Sequence, residues 1–274
     1  LWKITPLFAS WISSTASNPF WAQQILTADA AVVELGCGIS GLVALTLAPL
    51  VRKYVATDQE YVRRFFKQNI DENRHTASTA PSSKRGSAKK ARAGAGGNTK
   101  RGKDSSSSSS SNNNNNSNIE FIPLDWELDI PRNENLHAGG NDKIDEKGFD
   151  LVISCDCIYN EALIPSFVRT CADICLLRSA ANKQQQSEDE GEEQQGKNPT
   201  IAVIAQQQRS PDVFETWLKE TLKYFRVWRV DTFDVSPSSA TTTESSGGSS
   251  GLGDGSGYVV HVLVLRDDLP ASSS

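Results

Sequence analysis

Short apolar runs alternate with stretches of helical apolar spacing from the start of the chain. Ala30 to Leu35 is an apolar run closed by GCGISG. LVALTLAPLV follows with helical spacing, YVATD is a second short run ending in a carboxylate, and EYVRRFFKQNIDEN alternates apolar and charged residues as an amphipathic helix does. Strand, helix, strand, helix predicts a parallel sheet. Further on, NIEFIPLDW predicts a third strand, and FDLVISCD, apolar almost throughout, a fourth buried on both faces. A helix is expected over Leu163 to Ala180, a fifth strand at TIAVIAQ, and a helix DVFETWLKETLKYF opened by Pro211. FRVWRVDTF and YVVHVLVL have no helix between them, so they form a terminal hairpin with one strand antiparallel to the rest. The pattern predicts an α/β fold: a doubly wound sheet of seven strands, mostly parallel, with an antiparallel terminal hairpin.

Three stretches break this pattern and are expected to be disordered insertions in a single domain: residues 76–118, 182–199 and 236–257. They consist largely of Ser, Gly, Asn, Gln and charged residues, which bury too little apolar surface to offset the entropy of ordering them. Of the 274 residues, 191 remain, enough for one core without disulfides or structural metal. The formal charge of −5 changes meaning once divided this way. Eight basic residues from Lys84 to Lys103 sit in the first insertion, and seven acidic residues against two lysines sit in the other two, so the 191 residues outside all three carry −7. An acidic body favours a basic protein partner; nucleic acid is expected only through the basic insertion, which also resembles a nuclear-localisation or tethering segment.

No apolar run reaches the roughly 20 residues a helix needs to cross a bilayer, so no membrane partner is expected. Five cysteines, an odd number, suit a reducing compartment, and the cytoplasm is expected, with the nucleus open through the basic cluster. Methionine is absent, including at position 1, which predicts a chain whose N-terminal region is missing. Cys155 and Cys157 lie one residue apart at a strand end, while Cys171 and Cys175 share a helix face without a companion pair to meet them, so packing is their expected role and no metal is expected. His75, His137 and His261 have no nearby ligand pattern. A monomer is expected.

The candidate chemistry begins at Gly36-Cys37-Gly38-Ile39-Ser40-Gly41. These positions match the dinucleotide fingerprint and give a Rossmann-like reading, in which a backbone without Cβ lets a ligand approach a helix start. Glu34 argues against a dinucleotide, because a carboxylate beside a pyrophosphate is unfavourable, whereas beside a cationic sulfonium it helps. Asp58, at the end of the second strand, is placed to accept from ribose hydroxyls. Arg209, after the fifth strand, stands at the rim where substrates enter such sheets.

VVELGCGISGL followed by VATD resembles motifs one and two of the class I S-adenosylmethionine-dependent methyltransferases, a likeness covering essentially all 191 core residues. Leu124-Asp125-Trp126 and Asp156-Cys157-Ile158-Tyr159 resemble the signature of the seven-strand protein lysine methyltransferases. TPLFASWISSTASNPF, ELGCGISGL, TDQ, LDWE and DCIYNEALIPSF together resemble the fungal branch of that family acting on a large-subunit ribosomal protein. Members of that branch carry a long region before the Leu-Trp pair that this chain lacks.

The resemblance implies S-adenosylmethionine as cofactor and a lysine of a large-subunit ribosomal protein as acceptor. It implies that Trp2 and Trp126 flank the cofactor, that the Gly36-Cys37-Gly38 turn passes its methionine part, that Asp58 holds the ribose, and that Cys155 contributes backbone. As catalytic residues, Asp156 would steer and orient the amine and Tyr159 would wall its channel. Two other readings stay open: transfer to RNA or a small amine, and a non-catalytic ribosome-assembly module that keeps the fold.

Overall fold

The structure is a computed structural model that describes residues 2–77, 118–136, 148–186, 198–230 and 256–267. Seven strands form one sheet: β1 (Ala31–Leu35), β2 (Lys53–Asp58), β3 (Ile119–Pro123), β4 (Leu151–Cys155), β5 (Ile201–Gln207), β6 (Phe225–Arg229) and β7 (Tyr258–Leu265). Their spatial order is β3-β2-β1-β4-β5-β7-β6. The first five pair in parallel, and β7 runs antiparallel to both β5 and β6.

The sheet grows outward from β1 to β3 and then returns to place β4 on the other side of β1. This reversal opens a crevice at the carboxyl ends of β1 and β4. All five residues of β1 and all five of β4 are buried, because helices cover both faces there.

The helices are α1 (Ile4–Ile12), α2 (Pro19–Ala22), α3 (Leu42–Leu47), α4 (Arg63–Ala77), α5 (Asn133–Leu136), α6 (Ile164–Gln186) and α7 (Pro211–Tyr224). Side chains on alternate strand positions divide the core. Val32, Tyr54 and Ile153 face the layer holding Phe8 and Phe66, whereas Val33, Val152 and Ile204 face that holding Phe167 and Trp217.

The first helix buries Ile4, Phe8, Trp11 and Ile12, the spacing of one helical face. Asn18 ties α1 to α2: its side-chain oxygen accepts from the Phe20 N–H at 2.8 Å, capping α2, while its amide donates to the Trp11 carbonyl at 3.0 Å. The start of α1 is thereby set above the end of β4, where the Thr5 hydroxyl lies 3.8 Å from Cys155 Sγ.

Two expected boundaries move. Helix α6 runs past Ala180 to Gln186, since Gln184 to Gln186 are good helix formers, so residues 182–186 are helix rather than disordered insertion. Helix α4 likewise continues to Ala77, inside the first expected insertion. The interiors of the three insertions, 78–117, 187–197 and 236–255, lie outside the described residues.

Candidate active site

The turn after β1 is built by three left-handed glycines, Gly36, Gly38 and Gly41, at φ of +70°, +60° and +60°. Its first two N–H groups, of Gly36 and Cys37, both donate to the Thr57 carbonyl, at 2.9 and 3.0 Å, which ties the turn to β2. Gly36 and Gly38 differ in surroundings. A Cβ on Gly36 would collide with Cys157 Sγ and come within 3.3 Å of the Trp126 ring, whereas one on Gly38 would meet nothing within 4 Å. Gly36 is a packing requirement; Gly38 leaves open space.

That space belongs to a cleft of about 290 Å³ at the switch point of the sheet. Ten of the expected residues line it: Trp2, Glu34, Gly36, Cys37, Gly38, Asp58, Trp126, Cys155, Asp156 and Tyr159. The eleventh, Arg209, lines a smaller neighbouring recess of about 70 Å³ that shares Tyr159 with the cleft. Residues 36–38, 58, 126 and 155–159 thus converge because each stands at the end of one of four parallel strands or within four residues after it.

Asp58 accepts from the Gly38 N–H and from the Gln59 N–H, both at 2.8 Å, so it braces the glycine turn as well as facing the cleft. Partial burial raises its pKa from the ordinary value, opposed by those two hydrogen bonds. Glu34 is 3% exposed and accepts from the Tyr54 hydroxyl at 2.7 Å. Burial pushes its pKa up to about 7, the tyrosine bond lowers it, and the Asp58 charge raises it again. Near neutral pH this side chain is therefore a poised carboxyl, not the fixed negative charge expected from sequence.

Asp156 departs furthest from expectation. It takes the left-handed conformation at φ +63°, and its side chain is fully enclosed. Its Oδ1 accepts from the Gln207 N–H at 3.1 Å and from Arg209 at 3.0 Å, and its Oδ2 pairs with the other terminal nitrogen of Arg209. The carboxylate expected to steer and orient the amine is thus held by Arg209 and the Gln207 N–H at the edge of the cleft that it lines. Arg209, expected on the substrate side, is paired with Asp156, and its guanidinium also lies 4.7 Å from the centroid of the Trp2 ring. Tyr159 is 62% exposed at the mouth of the cleft, with its pKa raised first by burial.

Trp126 packs edge-on against Phe167 at 5.0 Å. The loop carrying it is held by Asp125, which accepts from the Glu127 N–H and from the Gln59 side chain, each at 2.9 Å. The thiols of Cys37 and Cys155 are raised well above the usual range by burial, and that of Cys157 is pushed up to about 12 for the same reason, so all three stay protonated and unreactive at neutral pH.

Sequence reasoning missed Thr5, Tyr54 and Tyr61. Thr5 and Tyr61 line the cleft from α1 and from the turn before α4, and neither carries a motif. Tyr54 had a usable signal: with parallel pairing of β1 to β2 it falls two positions before the partner of Glu34, on the same face.

The glycine turn at the switch point of a doubly wound sheet places the chain in the Rossmann-like class. A family model described as lysine methyltransferase matches residues 1–84 and 106–190, more than half of the chain. The chain belongs to the lysine methyltransferase family. It is 28% identical to the ribosomal lysine N-methyltransferase 5 of Vanderwaltozyma polyspora over 187 residues, 62% of this chain and 54% of that protein. It is 28% identical to the same-named protein of Lachancea thermotolerans over 206 residues, 72% of this chain and 48% of that one. A shorter stretch of 73 residues is 34% identical to a diaminohydroxyphosphoribosylamino-pyrimidine deaminase of Schizosaccharomyces pombe, covering 27% of this chain and 17% of that protein. The chain spans about half the length of the ribosomal lysine methyltransferases it matches.

Proposed function

We propose that the chain is an S-adenosylmethionine-dependent protein-lysine N-methyltransferase whose acceptor is a lysine of a large-subunit ribosomal protein. The observation that carries this reading is the lining of the cleft: Asp58 faces it, Glu34 can ionise into it, the Asp156 charge is met by Arg209 from outside, and among the described residues no lysine or arginine lines the cleft itself. A pyrophosphate would be repelled there. A nucleoside that bears a sulfonium and no phosphate suits it.

The residues present fit that cofactor. Open space at Gly38 admits an atom close to the backbone. Asp58 spends one lone pair of each oxygen on backbone N–H groups and keeps the others for ribose hydroxyls. Glu34 would ionise beside a cation, Trp2 and Trp126 would flank the group, and the Cys37 and Cys155 backbones would border it. When bound, the cofactor supplies an electrophilic methyl group.

An acceptor lysine with a pKa near 10.4 needs about 4.6 kcal/mol to reach its neutral form at pH 7. A free carboxylate on its path would add to that cost by favouring the ammonium. Because Arg209 compensates Asp156, the carboxylate nearest Tyr159 in sequence adds no such penalty. Tyr159 walls the entry, and the cleft walls would supply the orientation that an in-line transfer needs.

The names of the relatives support a ribosomal acceptor, and the acidic body, at −7 outside the insertions, complements a basic ribosomal protein. Incubation of the protein with labelled S-adenosylmethionine and stripped large-subunit proteins, followed by mass spectrometry, is expected to place label on lysine in one of them. Label on RNA alone, or none, overturns the reading. Asp58→Ala is expected to weaken binding of S-adenosylhomocysteine about tenfold or more, the loss of charge-assisted bonds. Wild-type affinity in calorimetry would remove Asp58 from the ribose.

A further inference from the structure

Trp2 lines the cleft yet is 57% exposed, and it precedes the first turn of α1. Burial alone is a weak constraint on such a side chain. Its backbone is tied by one bond, from the Thr5 N–H to the Trp2 carbonyl at 3.1 Å. The ring is met by the Arg209 guanidinium, 4.7 Å from its centroid. That guanidinium cannot swing freely, because each of its two terminal nitrogens is held by a different oxygen of Asp156. Asp156 in turn is fixed by the end of β4, by its own N–H donating to the Ala205 carbonyl at 2.7 Å, and by the Gln207 N–H on its Oδ1. A continuous line of contacts therefore runs from the rigid centre of the sheet to an aromatic wall of the cleft.

We infer that Asp156 and Arg209 form a clasp that holds Trp2 across the cleft, which makes Arg209 a positioning residue for cofactor retention and not a contact for the acceptor. The inference rests on the reading that the cleft takes S-adenosylmethionine. The clasp uses arginine for a physical reason: its planar fork binds a carboxylate at two points while presenting a flat face to an indole, and lysine can do only one of these at a time. Pairing with Asp156 also compensates the guanidinium charge, so the wall it supports does not repel a cationic ligand.

The test uses the full chain, with Arg209→Met, Trp2→Ala and the double variant compared with wild type for S-adenosylhomocysteine binding by calorimetry. Each single substitution is expected to raise Kd about fivefold, in the range of a partly exposed cation–π contact. The double is expected to be no worse than the weaker-binding single, since both remove the same contact. Arg209→Lys is expected to recover less than half of the loss. Trp2→Ala leaves the buried pair intact, so its thermal midpoint is expected to stay within about 2 °C of wild type while binding weakens, an outcome that a merely structural role would not give.

Wild-type Kd in both singles, or losses that add in the double, overturns the clasp. Should the wild type bind no S-adenosylhomocysteine, the cofactor reading fails instead, and hydrogen exchange at the Thr5 amide still decides the clasp. Faster exchange there in Arg209→Met than in wild type supports it, and an unchanged rate overturns it.

Discussion

Replacing Glu34 by glutamine is expected to stabilise the ligand-free protein at pH 8 while weakening its hold on S-adenosylmethionine. The side chain is 3% exposed, and its pKa rises from an ordinary 4.5 to about 7, chiefly through burial. Between those two values the folded protein retains a proton that the unfolded chain has already released. Stability therefore falls as pH rises from about 4.5 and levels off above about 7, where the buried carboxyl is ionised in the fold as well.

The shift corresponds to about 3 kcal/mol at pH 8, or a rise of roughly 6–12 °C in midpoint for a domain of this size once that cost is removed. Glutamine keeps an acceptor for the Tyr54 hydroxyl, and its amide N–H groups can be hydrated in the cleft that Glu34 lines. Denaturant unfolding at pH 5 and pH 8 checks this. The variant should gain little at the lower pH and most of the 3 kcal/mol at the higher. An equal gain at both would mean that ionisation of Glu34 is not the cause. Binding carries the opposite sign, because a sulfonium beside Glu34 favours the ionised form. Wild-type affinity should tighten from pH 6 to pH 8, and Glu34→Gln should lose that dependence.

Glu34 also marks where the sequence stops being informative. That a carboxylate stands two residues before Gly36 was legible. Its titration was not, because that depends on Tyr54, a neighbour only through the register of β1 against β2. The order of strands and helices was readable for a local reason: apolar periodicity and turn residues fix each element by itself, and the lack of a helical apolar pattern in the sequence before β7 predicts the antiparallel pairing that the sheet shows.

Asp156 shows the same limit more sharply. Its motif marks it as important, but its partner Arg209 lies 53 positions later, after a plain run of glutamines, and the Trp2 ring approaches from the other end of the described chain. Roles carried by contacts between distant elements have no local pattern. The overextended insertions are a smaller case: low complexity at Gln184 to Gln186 suggested disorder, while helix propensity and continuity with the buried part of α6 extend the helix through them.

The two glycines of the turn are expected to separate stability from binding. Gly36→Ala places a Cβ against Cys157 Sγ and the Trp126 ring while forcing alanine to adopt φ near +70°. The left-handed backbone costs about 1–2 kcal/mol by itself, and displacing the packed neighbours about as much again, so a loss of roughly 3 kcal/mol is expected in chemical denaturation. Adding Cys157→Ala removes the worst collision and should return stability to within about 1–2 kcal/mol of the parent, leaving the backbone cost. Gly38→Ala meets no atom within 4 Å and should cost only the backbone term, yet its methyl group projects where a ligand must approach. Its expected effect is on affinity, about tenfold or more for S-adenosylhomocysteine, the consequence of overfilling a tight contact. A Gly36→Ala as stable as the parent would remove the packing role of that glycine, and a Gly38→Ala with wild-type affinity would mean that the ligand does not pass the glycine turn.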